Sequence, residues 1–235
     1  MLWLTALPPG PGHKLNRKQA KMMRFGVAAI SVAGLILVVA PTNSTAGGAP
    51  AVTTVAGTRV TSSTPAATAI KLVEAARRQV GVTTGYDPRY VRLAYPGGDV
   101  PIQTGVCSDV VVRALRGLGI DLQVRVHEDM KANFSKYPRK WGLKKPDTNI
   151  DHRRVPNIVT YFSRRRYELP VSANAADYLP GDIVAMKIPV DHIGIVSDRK
   201  TPAGVPLVIH NVGQGAQEAD VLFAWDIVGH YRVVG

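Results

Sequence analysis

Cys107 is the one cysteine among 235 residues, so the chain can close no internal disulfide, and any role for this thiol is packing or reactivity. Acidic residues are few, 17 against 29 Lys+Arg for a formal charge of +12, and none lies in the first 46 residues. Aromatics make up 6%, with no nucleic-acid motif and no basic-aromatic interleaving, so DNA and RNA are not expected partners. His127-Glu128 lacks a second histidine four positions after His127, so the helical zinc motif is missing and no metal is expected. No internal repeat is present, which removes solenoid and propeller architectures. The apolar run Phe25–Ala40 has 16 residues, short of the ~20 that span a bilayer as a helix.

That run is preceded by Lys14, Arg17, Lys18, Lys21 and Arg24 and followed by Pro41 and the small residues Ser44-Thr45-Ala46-Gly47. A basic, then an apolar, then a small-residue segment is the order of a secretory signal, with Ser44 and Ala46 at −3 and −1 of the cleavage site. Residues 1–46 therefore read as an extension plus signal peptide, and translation from Met22 or Met23 would give a signal of ordinary length. The rival is an uncleaved anchor, the only reading in which a membrane is a partner; both send the following domain outward. Residues 47–64, rich in Gly, Ala, Thr, Ser and Val, read as a flexible linker, and 65–235 as the domain. Removing residues 1–46 leaves 24 Lys+Arg against 17 Asp+Glu, still basic, so an anionic envelope polymer is a candidate partner and a basic surface that serves only solubility is the alternative. A monomer is expected.

Within the domain, Thr64-Pro65 is a helix start, and Ile70, Val73, Ala76 and Val80 recur at helical spacing before Gly81. Residues 82–105 are rich in Gly, Pro, Tyr and Asp and read as a long loop. Val110, Val111, Ala114, Leu115 and Leu118 form one apolar face of a central buried helix whose first turn carries Cys107. Asp121 caps a helix to about Asn133, and Pro156 opens another. The last third turns to short β-rich runs at Ile183–Met186, His192–Val196, Leu207–His210 and His230–Val233. Helices first and a strand meander afterwards predict an α+β fold with an antiparallel sheet.

A thiol near a helix N-terminus and beside an imidazole is the setting in which cysteine becomes a nucleophile. His192 opens one predicted strand and His210 ends the next, so a hairpin would make them neighbours, a base and its orienter. Asn211 could take the orienting role instead, because a one-residue slip exchanges the faces of His210 and Asn211. Tyr86 and Tyr95, in the loop before the nucleophile, are candidates to hold an oxyanion. His152 and Arg153 are candidates for contact with a substrate anion, since guanidinium forks suit carboxylates. His230 reads as structural.

The runs Gly105-Val106-Cys107-Ser108-Asp109-Val110-Val111, Leu179-Pro180-Gly181-Asp182-Ile183-Val184, Asp191-His192-Ile193-Gly194-Ile195-Val196 and Val208-Ile209-His210 together resemble the NlpC and CHAP cell-wall hydrolases. These have a minimal papain-like fold. Over residues 66–235 the likeness is nearer to the domain of unknown function 1287 family, including Val126-His127-Glu128-Asp129-Met130 and the stretch Asp147–Asn157. The resemblance implies Cys107 as nucleophile, His192 as base and His210 as third residue. It implies a cofactor-free cysteine amidase or endopeptidase acting on cell-wall peptides or peptidoglycan. The alternatives are an acyl transferase on the same scaffold, or an envelope-binding module with weak or no catalysis. Two features depart from the NlpC pattern. Asp109 stands where a small residue is usual, and its charge would blunt the thiol unless Arg113, one turn on, pairs with it. The segment between Cys107 and Pro180 is also longer than in a minimal domain. N-terminal sequencing of the exported protein is expected to begin at Gly47; a mature start at Met1 would contradict the signal peptide.

Overall fold

The computed structural model describes residues 64–234. The expected signal peptide and almost all of the linker lie outside the described residues. Among the described residues, no helix is long and apolar enough to cross a membrane.

Four helices come first: α1 (Pro65–Arg77), α2 (Cys107–Arg116), α3 (Leu122–Asn133) and α4 (Val155–Arg164). Local chemistry sets their starts. The Thr64 hydroxyl accepts from the Ala67 amide with Pro65 in the first turn, and the Asp121 carboxylate accepts from the Gln123 amide at 3.0 Å. At α2 the Asp109 carboxylate reaches back to the Val106 amide at 2.7 Å, half of a capping box. Pro156 occupies the first turn of α4. The first helix is shorter than its apolar spacing suggests. It ends at Arg77, whose side chain turns to Asp198 and Glu218 on the sheet, and Val80 lies beyond it, exposed.

Six strands follow: β1 (Glu168–Leu169), β2 (Ile183–Lys187), β3 (Asp191–Lys200), β4 (Pro206–Asn211), β5 (Ala216–Ala219) and β6 (Asp226–Tyr231). They form one antiparallel sheet in the order β1-β6-β2-β3-β4-β5, so the architecture is α+β as expected. Two strands were not expected. The Ala-Gln-Glu-Ala of β5 carries no β-branched or aromatic residue, and its pairing with β4 overrides its weak propensity. Two-residue β1 is recruited by β6. The final strand also begins earlier than the run His230–Val233.

Strand alternation divides the sheet's side chains between two apolar layers. Ile183, Ala185, Ile193, Ile195 and Ile209 join the core made by the helices. Val184, Met186, Val196 and Val208 join Tyr178 and Leu222 in a second cluster, against which Trp225 packs. Stepping back by twos from Val196 reaches Gly194 and His192, and forward from Val208 reaches His210. The two histidines thus belong to the second face.

The β3–β4 register runs from Lys200↔Pro206 to Ile195↔Ile209. One step further, Gly194 meets His210. A β-carbon on Gly194 would lie 2.5 Å from Val208 Cγ1, 3.0 Å from the Ile209 carbonyl and 3.2 Å from His210 Cβ. The missing side chain is what lets the His210 ring lie along the strand toward His192. Gly194→Ala is expected to lower stability by ~1–3 kcal/mol through overpacking, read as a lower midpoint in urea denaturation; an unchanged midpoint would contradict this account.

Candidate active site

Cys107 occupies the first turn of α2 and is 5% exposed. The backbone amides of Ile193, Ser108 and Cys107 itself lie near its sulfur and favour its charged form, while the His192 ring, on the other face of the sheet, makes no hydrogen bond to it. The thiol therefore sits where the start of α2 meets β3, against the amide of the residue that follows His192. Burial pushes its pKa up to about 12; the amides oppose this, and the charge of Asp109 adds to it. At rest the sulfur is a protonated thiol.

His192 Nε2 lies 3.0 Å from His210 Nδ1, with the two rings nearly perpendicular. One of these nitrogens donates and the other accepts, so Nδ1 is the His192 nitrogen left for other chemistry. Burial pulls His192 down to about 3, helped by neighbouring His210, and His210 down to about 4. Both imidazoles are neutral near pH 7. Trp225, in the turn before β6, packs edge-on against both rings at 5.6 and 5.7 Å and shields them from water. His210 Nε2 is buried without a partner. The ring that reaches His192 is His210. The Asn211 carboxamide, on the opposite face of β4, donates instead to the carbonyls of Gly85 at 3.1 Å and Gly105 at 3.2 Å. It thereby ties the Tyr86 segment to the residues leading into Cys107.

Asp109 finds a partner other than the one expected. Arg113 turns away to Asp99 at 2.8 Å and to the carbonyls of Val100, Pro101 and Thr104. Arg153 takes its place. Its Nε donates to Asp109 Oδ1 at 3.0 Å and its Nη2 to Oδ2 at 3.0 Å. The remaining donors reach the carbonyls of Asp87 at 3.0 Å and Arg89 at 3.1 Å. With a side chain 2% exposed and its fork fully engaged, Arg153 is not a surface contact for a substrate anion, which corrects the expectation above. His152 is buried beside it, its pKa pulled down to about 4 chiefly by burial, and it is likewise no surface cation.

The two tyrosines separate. Tyr95 donates to Glu128 at 3.0 Å and packs edge-on to His127, so α3 holds it. Tyr86 stands near the thiol: burial raises its hydroxyl to about 12, with Cys107 and Asp109 as the next causes. It stays protonated and able to donate. His230 is structural in place. Its Nε2 meets Asp182 at 2.8 Å, and Asp182 also accepts from both forks of Arg232 and from the Leu179 amide. This network locks the Leu-Pro-Gly-Asp turn at the start of β2 to the end of β6. No group of three or more His, Cys, Asp or Glu residues is arranged to hold a metal among the described residues. Trp225 and the Ile193 amide went unnoticed in the sequence. A tryptophan in a turn and a backbone N–H give no local signal.

Residues 73–233 match the family described as Domain of unknown function (DUF1287). The chain belongs to that family. It is 59% identical over 167 residues to the uncharacterized protein YijF of Escherichia coli (strain K12), a match covering 70% of this chain and 82% of the relative. Among solved structures it is similar to NlpC1 and NlpC2 from Trichomonas vaginalis, with TM-scores of 0.39 and 0.38 at 14% and 15% identity. Each match covers 70% of this chain but only 43% and 47% of those chains, so this protein spans less than half their length. Neither the family description nor the relative's name assigns a reaction, and the chemistry rests on the site's own geometry.

The buried neutral histidines set a pH dependence. An unfolded histidine binds a proton as pH falls through ~6.5, whereas His152, His192 and His210 resist protonation while folded. The unfolded state then holds more protons, so stability falls as pH drops from about 6.5 toward 4, each histidine withdrawing up to ~1.4 kcal/mol per pH unit. Urea midpoints measured from pH 7.5 to 4.5 are expected to fall steeply over that window; a flat series would contradict neutral burial.

Proposed function

We propose that the protein is an exported thiol hydrolase that cleaves amide bonds in cell-wall peptides. The observation that carries this reading is a lone thiol in the first turn of α2, near the amide of Ile193 on the strand that also bears His192, whose ring is coupled to His210. Export rests on the order of residues 14–47.

In this reading the His192 ring, which shares no hydrogen bond with Cys107 in this structure and lies on the other face of the sheet, turns toward the thiol and takes its proton as sulfur attacks the amide carbonyl carbon. Because burial holds both groups neutral, proton transfer accompanies attack and no resting ion pair is needed. A carbon–sulfur bond forms and the carbonyl electron pair moves to oxygen. The amides at the start of α2 and the Tyr86 hydroxyl are the donors for that charge. The carbon–nitrogen bond then breaks, and the amine leaves with the proton from His192. Water, deprotonated by the same ring, releases the acid from the thioester. His210 holds the ring of His192 in one orientation and one tautomer. The scheme uses no cofactor.

A second reading, an envelope-binding module with little or no catalysis, is favoured by one observation. The thiol is 5% exposed and its pKa is raised, so substrate must displace covering groups to reach it. The basic charge would then hold an anionic wall polymer.

Release of soluble fragments from purified peptidoglycan, followed by mass spectrometry, separates the two. Cys107→Ala and His192→Ala are each expected to lower the rate by at least ~10³-fold, and His210→Ala by ~10–10²-fold. Binding of wall material by the wild type, with no hydrolysis of any wall or peptide amide, would establish the second reading instead.

A further inference from the structure

A carboxylate buried two residues after a nucleophilic cysteine is a liability, because its charge opposes formation of a thiolate. The fold nevertheless keeps Asp109 there, 3% exposed, and makes it the centre of a four-way junction. Asp109 accepts from the Val106 amide, immediately before Cys107, at 2.7 Å. It accepts a double bond from Arg153, which comes from the single helical turn Asp151–Arg153, 44 residues away in sequence. Arg153 continues to the carbonyls of Asp87 and Arg89. Those residues follow Tyr86 in the chain, where the Asp87 amide also donates to the Gly105 carbonyl at 3.1 Å, and the Gly85 carbonyl before Tyr86 accepts from Asn211. Behind the junction, the Ser108 hydroxyl donates to the Arg153 carbonyl at 2.7 Å, closing a ring between the helix start and the turn. Two covalently distant segments therefore meet the nucleophile through one guanidinium, and no other cation within hydrogen-bonding distance serves Asp109 among the described residues.

We propose that Asp109 and Arg153 are a positioning pair for the reaction: the carboxylate fixes the start of α2 that presents Cys107, and the guanidinium both cancels its charge and holds the Tyr86 segment beside that helix start. This rests on the reading of Cys107 as the nucleophile. Arginine is needed in place of lysine because only a planar fork reaches two carboxylate oxygens and two carbonyls at once. Packing alone would be served by an apolar pair of similar volume, which costs no desolvation of charge. The specific geometry argues for a role in the site.

The pair makes two predictions of opposite sign for the thiol. Asp109→Asn keeps an acceptor for the Val106 amide but removes the charge, and the rate of iodoacetamide alkylation of Cys107 at pH 8 is expected to rise about tenfold. Arg153→Lys keeps a charge, cannot make the four bonds together and leaves Asp109 less well neutralised, so alkylation is expected to slow by about threefold. Hydrolysis by both variants is expected to fall at least tenfold in kcat with a smaller change in KM, because orientation at the transition state is lost. Circular dichroism and thermal melting confirm that the compared proteins are folded, and Arg153→Lys, the milder change, stands if Asp109→Asn does not fold. A merely structural pair would let water reach the thiol in either variant and speed alkylation in both. That result, or wild-type rates in both, would overturn the proposal. Failure of the wild type to hydrolyse any substrate would sink the enzymatic reading and not the alkylation comparison, which needs no substrate.

Discussion

The site depends on neutralising one buried carboxylate. Asp109 caps the helix that carries Cys107, and an unpaired charge at that depth would cost several kcal/mol. Arg153 meets the requirement, and much of the surrounding architecture follows from bringing it there. The long segment between α3 and α4 has to return its last turn, Asp151–Arg153, to the start of α2. The loop after α1 has to pass where its carbonyls can take the other guanidinium donors. What read in the sequence as a long loop before Cys107 and an extended segment after it are two halves of one clamp. The price of the clamp is that Arg153 and His152, read first as ligands for a substrate, are removed from the surface.

The second constraint is dryness. His192 and His210 share a hydrogen bond beneath Trp225, and burial keeps both neutral. A neutral imidazole can accept a proton, whereas a solvated one near its ordinary pKa would be partly protonated in mildly acidic surroundings. Gly194 contributes by having no side chain, since a β-carbon there would meet β4 before the two rings could approach. The coupling of the imidazoles thus rests on a glycine, a strand register and a tryptophan from three separate parts of the chain.

Much of this was legible in the residues because it is local. Helix starts at Thr64 and Asp121 announce themselves through side chains that satisfy nearby amides, the one at Pro156 through a ring that fits the first turn, and the apolar face from Val110 to Leu115 marks the buried helix. The α+β order and the strands at Ile183, His192 and Leu207 follow from composition and turns. What stayed hidden is non-local. The partner of Asp109 lies 44 residues on, so helical spacing pointed to Arg113 instead. The choice between His210 and Asn211 turns on a register that a shift of one residue reverses. Strand β5 exists because β4 offers an edge, not because Ala-Gln-Glu-Ala favours extension. Trp225 has a role only once β6 has returned to β2.

That return has a consequence for how the protein comes into being. Strand β6 is the last strand in the chain but an interior one in the sheet, inserted between β1 and β2 and clamped by Asp182 through His230 and Arg232. A chain emerging from the ribosome N-terminus first carries Cys107 out well before the strand that seats the Trp225 turn. The sheet cannot close, and the histidines cannot be covered, until nearly the whole domain is present. Such a topology, dominated by contacts between distant residues, folds late and as a unit. Assembly of the thiol's surroundings is in this way deferred to the end of synthesis.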